Sequence, residues 1–146
     1  MASVVSINLS QKKGVIKDSV TEATLLDDFG FEQDAHAGNW HRQVSLLGLE
    51  SFKKLTELSD DLNLKPGIFA ENITTDGIIL YDLKVGTQLK IGDTLHEVTQ
   101  IGKECHHGCE IFYKVGDCVM PREGIFTRVL KGGTLKVGDP IEVIEA

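Results

Sequence analysis

The sequence predicts a mainly β (α+β) domain, a barrel or a sandwich, with one main helix and short additional helices. Three observations predict it: many short apolar runs, 15 glycines that separate them, and two similar strand–turn–strand units in the second half. With 146 residues, 41% hydrophobic and 25% charged, the chain fits one domain with its own core. We therefore expect a single domain over residues 1–146.

The predicted strands are short and separated by polar turns. Val4–Leu9 begins with β-branched residues, which favour strands. Gln11–Asp18 predicts a polar turn with a short strand after it, and Asp27–Asn39 predicts a loop. Two further strands are predicted over Leu95–Ile101 and Gly124–Leu130.

One segment, Val44–Leu58, has the apolar spacing of an amphipathic helix. The apolar residues that recur at intervals of three are Leu49, Phe52, Leu55 and Leu58. Ser45 is a candidate N-cap, and the helical region is expected to end within Asn63–Gly67, where Pro66 disfavours continuation.

The second half contains one short strand–turn–strand pattern twice, and we call its two copies the echoing units. Leu89–Asp93 is followed by a β-rich run, Thr94–Thr99, and Leu135–Asp139 is followed by another, Pro140–Ile144. In each unit a Gly-Asp pair supplies residues that tolerate the positive φ of a tight turn. The two units predict two corners of one barrel.

Charge and hydropathy exclude several classes of function. The formal net charge is -7, so we expect no non-specific binding to nucleic acid. No segment has the layout of a signal peptide, and none approaches the roughly 20 apolar residues of a membrane helix. We expect a cytoplasmic protein that does not bind membranes. The familiar nucleotide-binding, hydrolase and zinc-protease motifs do not occur in the sequence.

The three cysteines, Cys105, Cys109 and Cys118, are clustered in one short segment. An odd, clustered set indicates thiol chemistry or metal binding, and not a disulfide framework. Structural burial is the alternative for each, and the favoured one for Cys118, because free cysteine behaves as a small hydrophobic residue.

Cys105 is the best candidate for a reactive thiol because it follows a predicted strand and has basic neighbours. Lys103, His106 and His107 favour the thiolate form, whereas Glu104 opposes it. A thiolate carries a persulfide, attacks a carbonyl or ligates molybdenum.

A second hypothesis for the same segment is zinc binding. Four residues would supply the ligands: Cys105, His107, Cys109 and Cys118. Their spacing differs from that of the usual zinc fingers and ribbons.

Five residues are candidates for a binding pocket: His36, Arg42, Asn72, Lys103 and Arg122. The predicted helix would place its positive end beside Arg42 and favour an anion there. Asn72 either presents its amide to a ligand or binds its own backbone in a turn. Arg122 follows Pro121 in a predicted loop, where a guanidinium suits phosphate.

Several segments, taken in the order in which they follow one another along the chain, resemble the MOSC family, named for the C-terminal domain of molybdenum cofactor sulfurase. The resemblance runs from about Val4 to Ile144, and the last of its matching features is Cys105, shortly after a strand. The matching segments are Asp34–Gly38, Arg42–Leu46, Pro66–Thr74, Leu83–Gly86 and Leu89–Asp93.

The resemblance implies a strongly bent, mostly antiparallel β-barrel with few helices. It implies sulfur transfer or handling of the molybdenum cofactor, and some relatives reduce N-hydroxylated compounds with that cofactor. Cys105 matches the family's key cysteine and would be a persulfide carrier or a molybdenum ligand. The five pocket residues would hold the pterin phosphate.

One departure from the family pattern is Glu104, since relatives often have proline immediately before the cysteine. This suggests a distinct subgroup. Pyridoxal phosphate is associated with the family, but we see no site for it in this chain. A partner would supply sulfur or electrons: a cysteine desulfurase, an electron-transfer protein or a molybdenum enzyme. A non-catalytic interaction module is a further alternative.

Overall fold

The structure, a computed structural model, describes residues 2–11, 17–35, 37–50, 71–102 and 124–145. This part of the chain is mainly β, as predicted, with a 3₁₀ helix at Leu80–Asp82 and helical backbone at Leu49 and Glu50. The strands are β1 (Ser3–Leu9), β2 (Asp18–Val20), β3 (Glu22–Leu26), β4 (Gly30–Phe31), β5 (Val44–Gly48), β6 (Ile73–Asp76), β7 (Gln88–Ile91), β8 (Thr94–Ile101), β9 (Ile125–Lys131), β10 (Gly133–Lys136) and β11 (Ile141–Glu145).

Eight of the described strands form the large sheet, in the order β11-β7-β8-β9-β5-β6-β1-β2. Every neighbouring pair is antiparallel except β5 and β6, which are parallel. A row of apolar residues crosses the middle of this sheet and contributes to the core. From β8 to β2 the row comprises Ile101, Ile125, Leu46, Ile73, Ile7 and Val20.

The other three strands in the described ranges form a small antiparallel sheet in the order β10-β3-β4. Gln43, which is fully buried, links it to the large sheet. Its Nε2 donates to Asp28 Oδ1 (3.0 Å) and its Oε1 accepts from the backbone N–H of Val129 (2.8 Å). The turn at Asp28 is thereby held against β9.

The predicted barrel is not supported by the described strands. The large sheet begins at β11 and ends at β2, so its ladder is open. The start of β1 does approach the segment before β11, through one antiparallel bridge between Ser3 and Pro140. In the described ranges this contact does not extend into paired strands.

The prediction of a helix over Val44–Leu58 is wrong at its start. Val44–Gly48 is strand β5, buried along its whole length and paired with β6 and β9. Ser45 is therefore inside a strand and does not cap a helix. Residues 51–70, which include the rest of the predicted helix and its expected end at Asn63–Gly67, lie outside the described residues.

The two echoing units form the predicted strands but differ in topology. The first is a hairpin, β7–β8, whereas the strands of the second, β10 and β11, belong to different sheets. Their Gly-Asp turns lie side by side, because the N–H of Gly92 donates to the carbonyl of Pro140 (2.9 Å). The echo therefore marks two adjacent turns and not two equivalent corners of a barrel.

Candidate functional site

Residues 103–123, which we call the cysteine segment, connect β8 to β9, so both ends of this segment meet the large sheet at one place. Ile101 pairs with Ile125, and the backbone N–H of Gly102 donates to the carbonyl of Gly124 (2.7 Å). We call these four residues the hairpin root. The strands predicted on both sides of the segment are confirmed. Residues 103–123, with all three cysteines, lie outside the described residues.

The segment Trp40–Arg42 is attached to β8 next to the hairpin root. His41 Nε2 lies 2.9 Å from Gln100 Oε1, and the hydroxyl of Thr99 donates to the carbonyl of His41. Gln100 Nε2 in turn donates to the carbonyl of Gly102 (2.7 Å). The same hydrogen-bonded chain therefore reaches from His41 to the residue at which the cysteine segment begins.

Arg42 lies between two aromatic rings. Its Cζ is 4.7 Å from the ring centroid of Trp40 and 5.6 Å from that of Phe126, distances typical of cation–π contacts. Its Nε is buried and has no hydrogen-bond partner among the described residues. Because no helix begins at Ser45, the predicted reason for an anion at Arg42 is wrong, and its surroundings are aromatic instead.

Asn72, another predicted pocket residue, is fully buried and bonded to the protein itself. Its Oδ1 accepts from the backbone N–H of Ser45 (2.9 Å) and its Nδ2 donates to the carbonyl of Asn8 (3.2 Å). These bonds join β1 and β5 at the start of β6. The described contacts are those of an anchor between strands.

A buried ion pair fixes the segment that begins at Asp34. Lys17 Nζ and Asp34 Oδ1 are 2.7 Å apart, and both side chains are 0% exposed. The same Oδ1 accepts from the backbone N–H of Ser10 (3.0 Å), just beyond β1. A buried ion pair left with one partner is strongly destabilising. Asp34 belongs to a motif that the sequence singled out, whereas no sequence signal indicated Lys17.

Sequence reasoning also missed Gln100 and Phe126, which meet the Trp40–Arg42 segment from β8 and β9. Their part in the site depends on the pairing of distant strands, for which neither residue carries a local signal. His36, Lys103, Cys105 and Arg122 lie outside the described residues, so their places in the pocket stay predictions.

Within the described ranges, no three His, Cys, Asp or Glu side chains come together as a possible metal site. The four predicted zinc ligands, Cys105, His107, Cys109 and Cys118, are outside those ranges. Among the described residues, no helix is long and apolar enough to cross a membrane.

The comparison that decides the family is a match to the model of the MOSC domain over residues 33–142, about three quarters of the chain. The chain belongs to the MOSC family. The resemblance predicted from the ordered motifs is thus confirmed. MOSC proteins are linked to functions of the molybdenum cofactor sulfurase type. No curated protein matches the chain in sequence.

Solved structures share the fold of this MOSC domain. The YuaD protein from Bacillus subtilis is similar with a TM-score of 0.81 and 17% identity, over 100% of this chain and 97% of that one. YiiM from Geobacillus stearothermophilus is similar with a TM-score of 0.78 and 22% identity, over 99% of this chain and 76% of that one. YiiM from Escherichia coli is similar with a TM-score of 0.74 and 20% identity, over 100% of this chain and 71% of that one. At these identities the likeness establishes the fold alone.

Proposed function

We propose that this MOSC domain is a module linked to the molybdenum cofactor, in which Cys105 carries sulfur as a persulfide or ligates molybdenum. The observation that carries the proposal is the hairpin root beside Arg42. Both ends of the cysteine segment are fixed to the sheet there, and a guanidinium held by aromatic rings lies next to it. Reactive residues are commonly found on loops that a rigid scaffold positions in this way.

Arg42 fits the anionic end of the cofactor. A planar guanidinium binds phosphate through paired N–H donors, and stacking on aromatic rings pre-organises it. Its buried Nε, which has no acceptor among the described residues, is a donor that a phosphate oxygen would satisfy. Arg42 would therefore hold the pterin phosphate, with His36, Lys103 and Arg122 as further proposed pocket residues, while the amide of Asn72 is occupied as an anchor between strands.

When bound, the cofactor would supply a redox-active metal centre, while the protein supplies binding and orientation. On the proposed route for sulfur, the Cys105 thiolate attacks the outer sulfur of a persulfide on a donor protein. A new S–S bond forms on Cys105, the donor's S–S bond breaks, and the donor cysteine leaves as a thiolate. Lys103, His106 and His107 favour the attacking thiolate by their charge or polarity.

The proposal includes a partner, because sulfur or electrons have to reach Cys105 from another protein. A cysteine desulfurase, an electron-transfer protein and a molybdenum enzyme are the proposed classes. With an electron donor, N-hydroxylated compounds are the proposed substrates. An odd, clustered set of cysteines favours a reducing compartment, so we propose that the protein functions in the cytoplasm.

The test is the molybdenum and zinc content of protein purified anaerobically from a host that makes the cofactor, measured by elemental mass spectrometry. We expect molybdenum in the wild type and its loss in Cys105→Ser, with Cys109→Ser as the matched control that keeps it. Arg42→Lys keeps the charge but loses the planar fork, and we expect about tenfold less retained molybdenum. Arg128→Lys is its control, since that arginine is 46% exposed and paired with Glu97.

Unchanged molybdenum in Cys105→Ser would overturn the role as a metal ligand. A wild type with neither molybdenum nor a persulfide on Cys105, detected by peptide mass, would overturn the whole proposal. About one zinc per chain that disappears in Cys105→Ser, Cys109→Ser and Cys118→Ser would establish the zinc scaffold in its place. Circular dichroism of each variant shows whether the fold is intact.

A further inference from the structure

Three oxygen atoms lie near Gly48 at the end of the parallel pair β5 and β6, where Gly48 pairs with Thr75. A Cβ on Gly48 would lie 2.6 Å from Glu50 Oε1, 3.6 Å from Thr75 Oγ1 and 3.6 Å from the carbonyl oxygen of Ile78. Because glycine has no Cβ, Glu50 Oε1 can approach the backbone here, where a methyl group would collide with it. We call the three oxygens the oxygen niche.

Two of the three oxygens are buried without a hydrogen-bond partner. Glu50 Oε1 and Thr75 Oγ1 have none among the described residues, and Thr75 is 0% exposed. The other carboxylate oxygen, Glu50 Oε2, accepts from the backbone N–H of Gly77 (2.9 Å). That bond fixes the carboxylate with Oε1 turned toward the niche.

Leaving such groups unsatisfied costs about 1–3 kcal/mol each, more for a charged group, so a native fold rarely keeps two side by side. An ionised carboxylate and a carbonyl are acceptors only, and a hydroxyl also offers lone pairs. A cation binds all three together through their lone pairs. Carboxylate, hydroxyl and carbonyl oxygens are the donors that hard cations prefer.

We propose that the oxygen niche is part of a binding site for a hard divalent cation, with water completing the coordination shell. The mixed set of neutral and charged oxygens favours calcium, which accepts irregular oxygen shells, over magnesium, which requires near-ideal octahedral geometry and retains more water. The site contains none of the residues assigned to the cofactor, so it stands or falls independently of the proposed function. Its role is to fasten together the C-terminal ends of β5 and β6, two central strands of the large sheet.

The test is calcium binding to the full chain by isothermal titration calorimetry, with thermal unfolding in calcium, in magnesium and in chelator. We expect about one calcium per chain and a higher Tm in calcium than in chelator, with a smaller effect of magnesium. Glu50→Gln should weaken binding by about tenfold or more, since it removes the only charge in the niche. Asp93→Asn, an exposed acid in the turn between β7 and β8, is the matched control and should bind like the wild type.

Two further variants separate cation binding from loss of folding. Thr75→Val keeps the shape and removes the hydroxyl, so in chelator it should be as stable as the wild type or more stable, and calcium should raise its Tm less. Gly48→Ala places a methyl group in the niche and should abolish the calcium effect. No calcium binding by the wild type would overturn the proposal, as would equal binding by wild type and Glu50→Gln. Water alone in the niche would give that result.

Discussion

His96 lies within β8 with its imidazole fully buried between two threonines. Nε2 is 2.9 Å from Thr94 Oγ1 and Nδ1 is 3.1 Å from Thr127 Oγ1. Thr94 already donates its hydroxyl hydrogen to the carbonyl of Ile91 (2.7 Å), so His96 has to donate from Nε2 and accept at Nδ1. Burial favours this neutral form and lowers the pKa of His96 to about 4.

The lowered pKa of His96 predicts that acid destabilises the fold. Between the unfolded value of 6.5 and the folded value of about 4, the unfolded chain binds the proton and the folded chain does not. The contribution of the neutral His96 to the free energy of unfolding is fully present above pH 6.5 and is lost as the pH falls to about 4, by roughly 3 kcal/mol in all. His96→Gln should remove this part of the pH dependence in urea unfolding between about pH 7 and about pH 4.5.

Equal slopes of the free energy of unfolding against pH in wild type and His96→Gln would contradict the prediction. Carboxylates contribute equally to both proteins, so the difference isolates His96.

Strand β5 shows at the level of the element why a helix was predicted where a strand lies. Val44–Gly48 is buried on both faces, so it lacks the alternation of a half-buried strand and periodicity alone cannot assign it. The parallel pairing with β6, which makes Val44–Gly48 a strand, joins residues far apart in the sequence. Strands β1, β8 and β9 were predictable because β-branched composition and glycine turns mark them locally.

Gln43, directly before β5, connects the two sheets, and its replacement by leucine tests that connection. Gln43→Leu leaves the N–H of Val129 and the carboxylate of Asp28 without their partner. We expect a loss of roughly 2–3 kcal/mol in the free energy of unfolding, measured in urea. Gln33→Leu changes the same side chain at an exposed position and should cost far less. Similar losses in the two variants would show that Gln43 does not hold the sheets together.

Across the whole molecule, the ordered motifs predicted the family, and the strands on either side of the cysteine segment predicted where that segment meets the sheet. The aromatic surroundings of Arg42 could not be predicted, because Phe126 reaches it only through the pairing of β5 with β9. The sequence likewise did not predict that the two strands of the second echoing unit belong to different sheets. Its local sequence is that of a hairpin, while its partners, β3 and β7, are distant strands.

The proposed function requires Cys105, and not Cys109 or Cys118, to be the reacting thiol. The most direct measurement is the alkylation rate of each cysteine against pH, followed by peptide mass spectrometry on the reduced wild-type protein. We predict that Cys105 reacts fastest and becomes a thiolate well below the pKa of about 8.5 of an ordinary thiol. Alkylation of Cys105 no faster than that of Cys109 and Cys118, with the ordinary dependence on pH, would contradict its assignment as the reacting group.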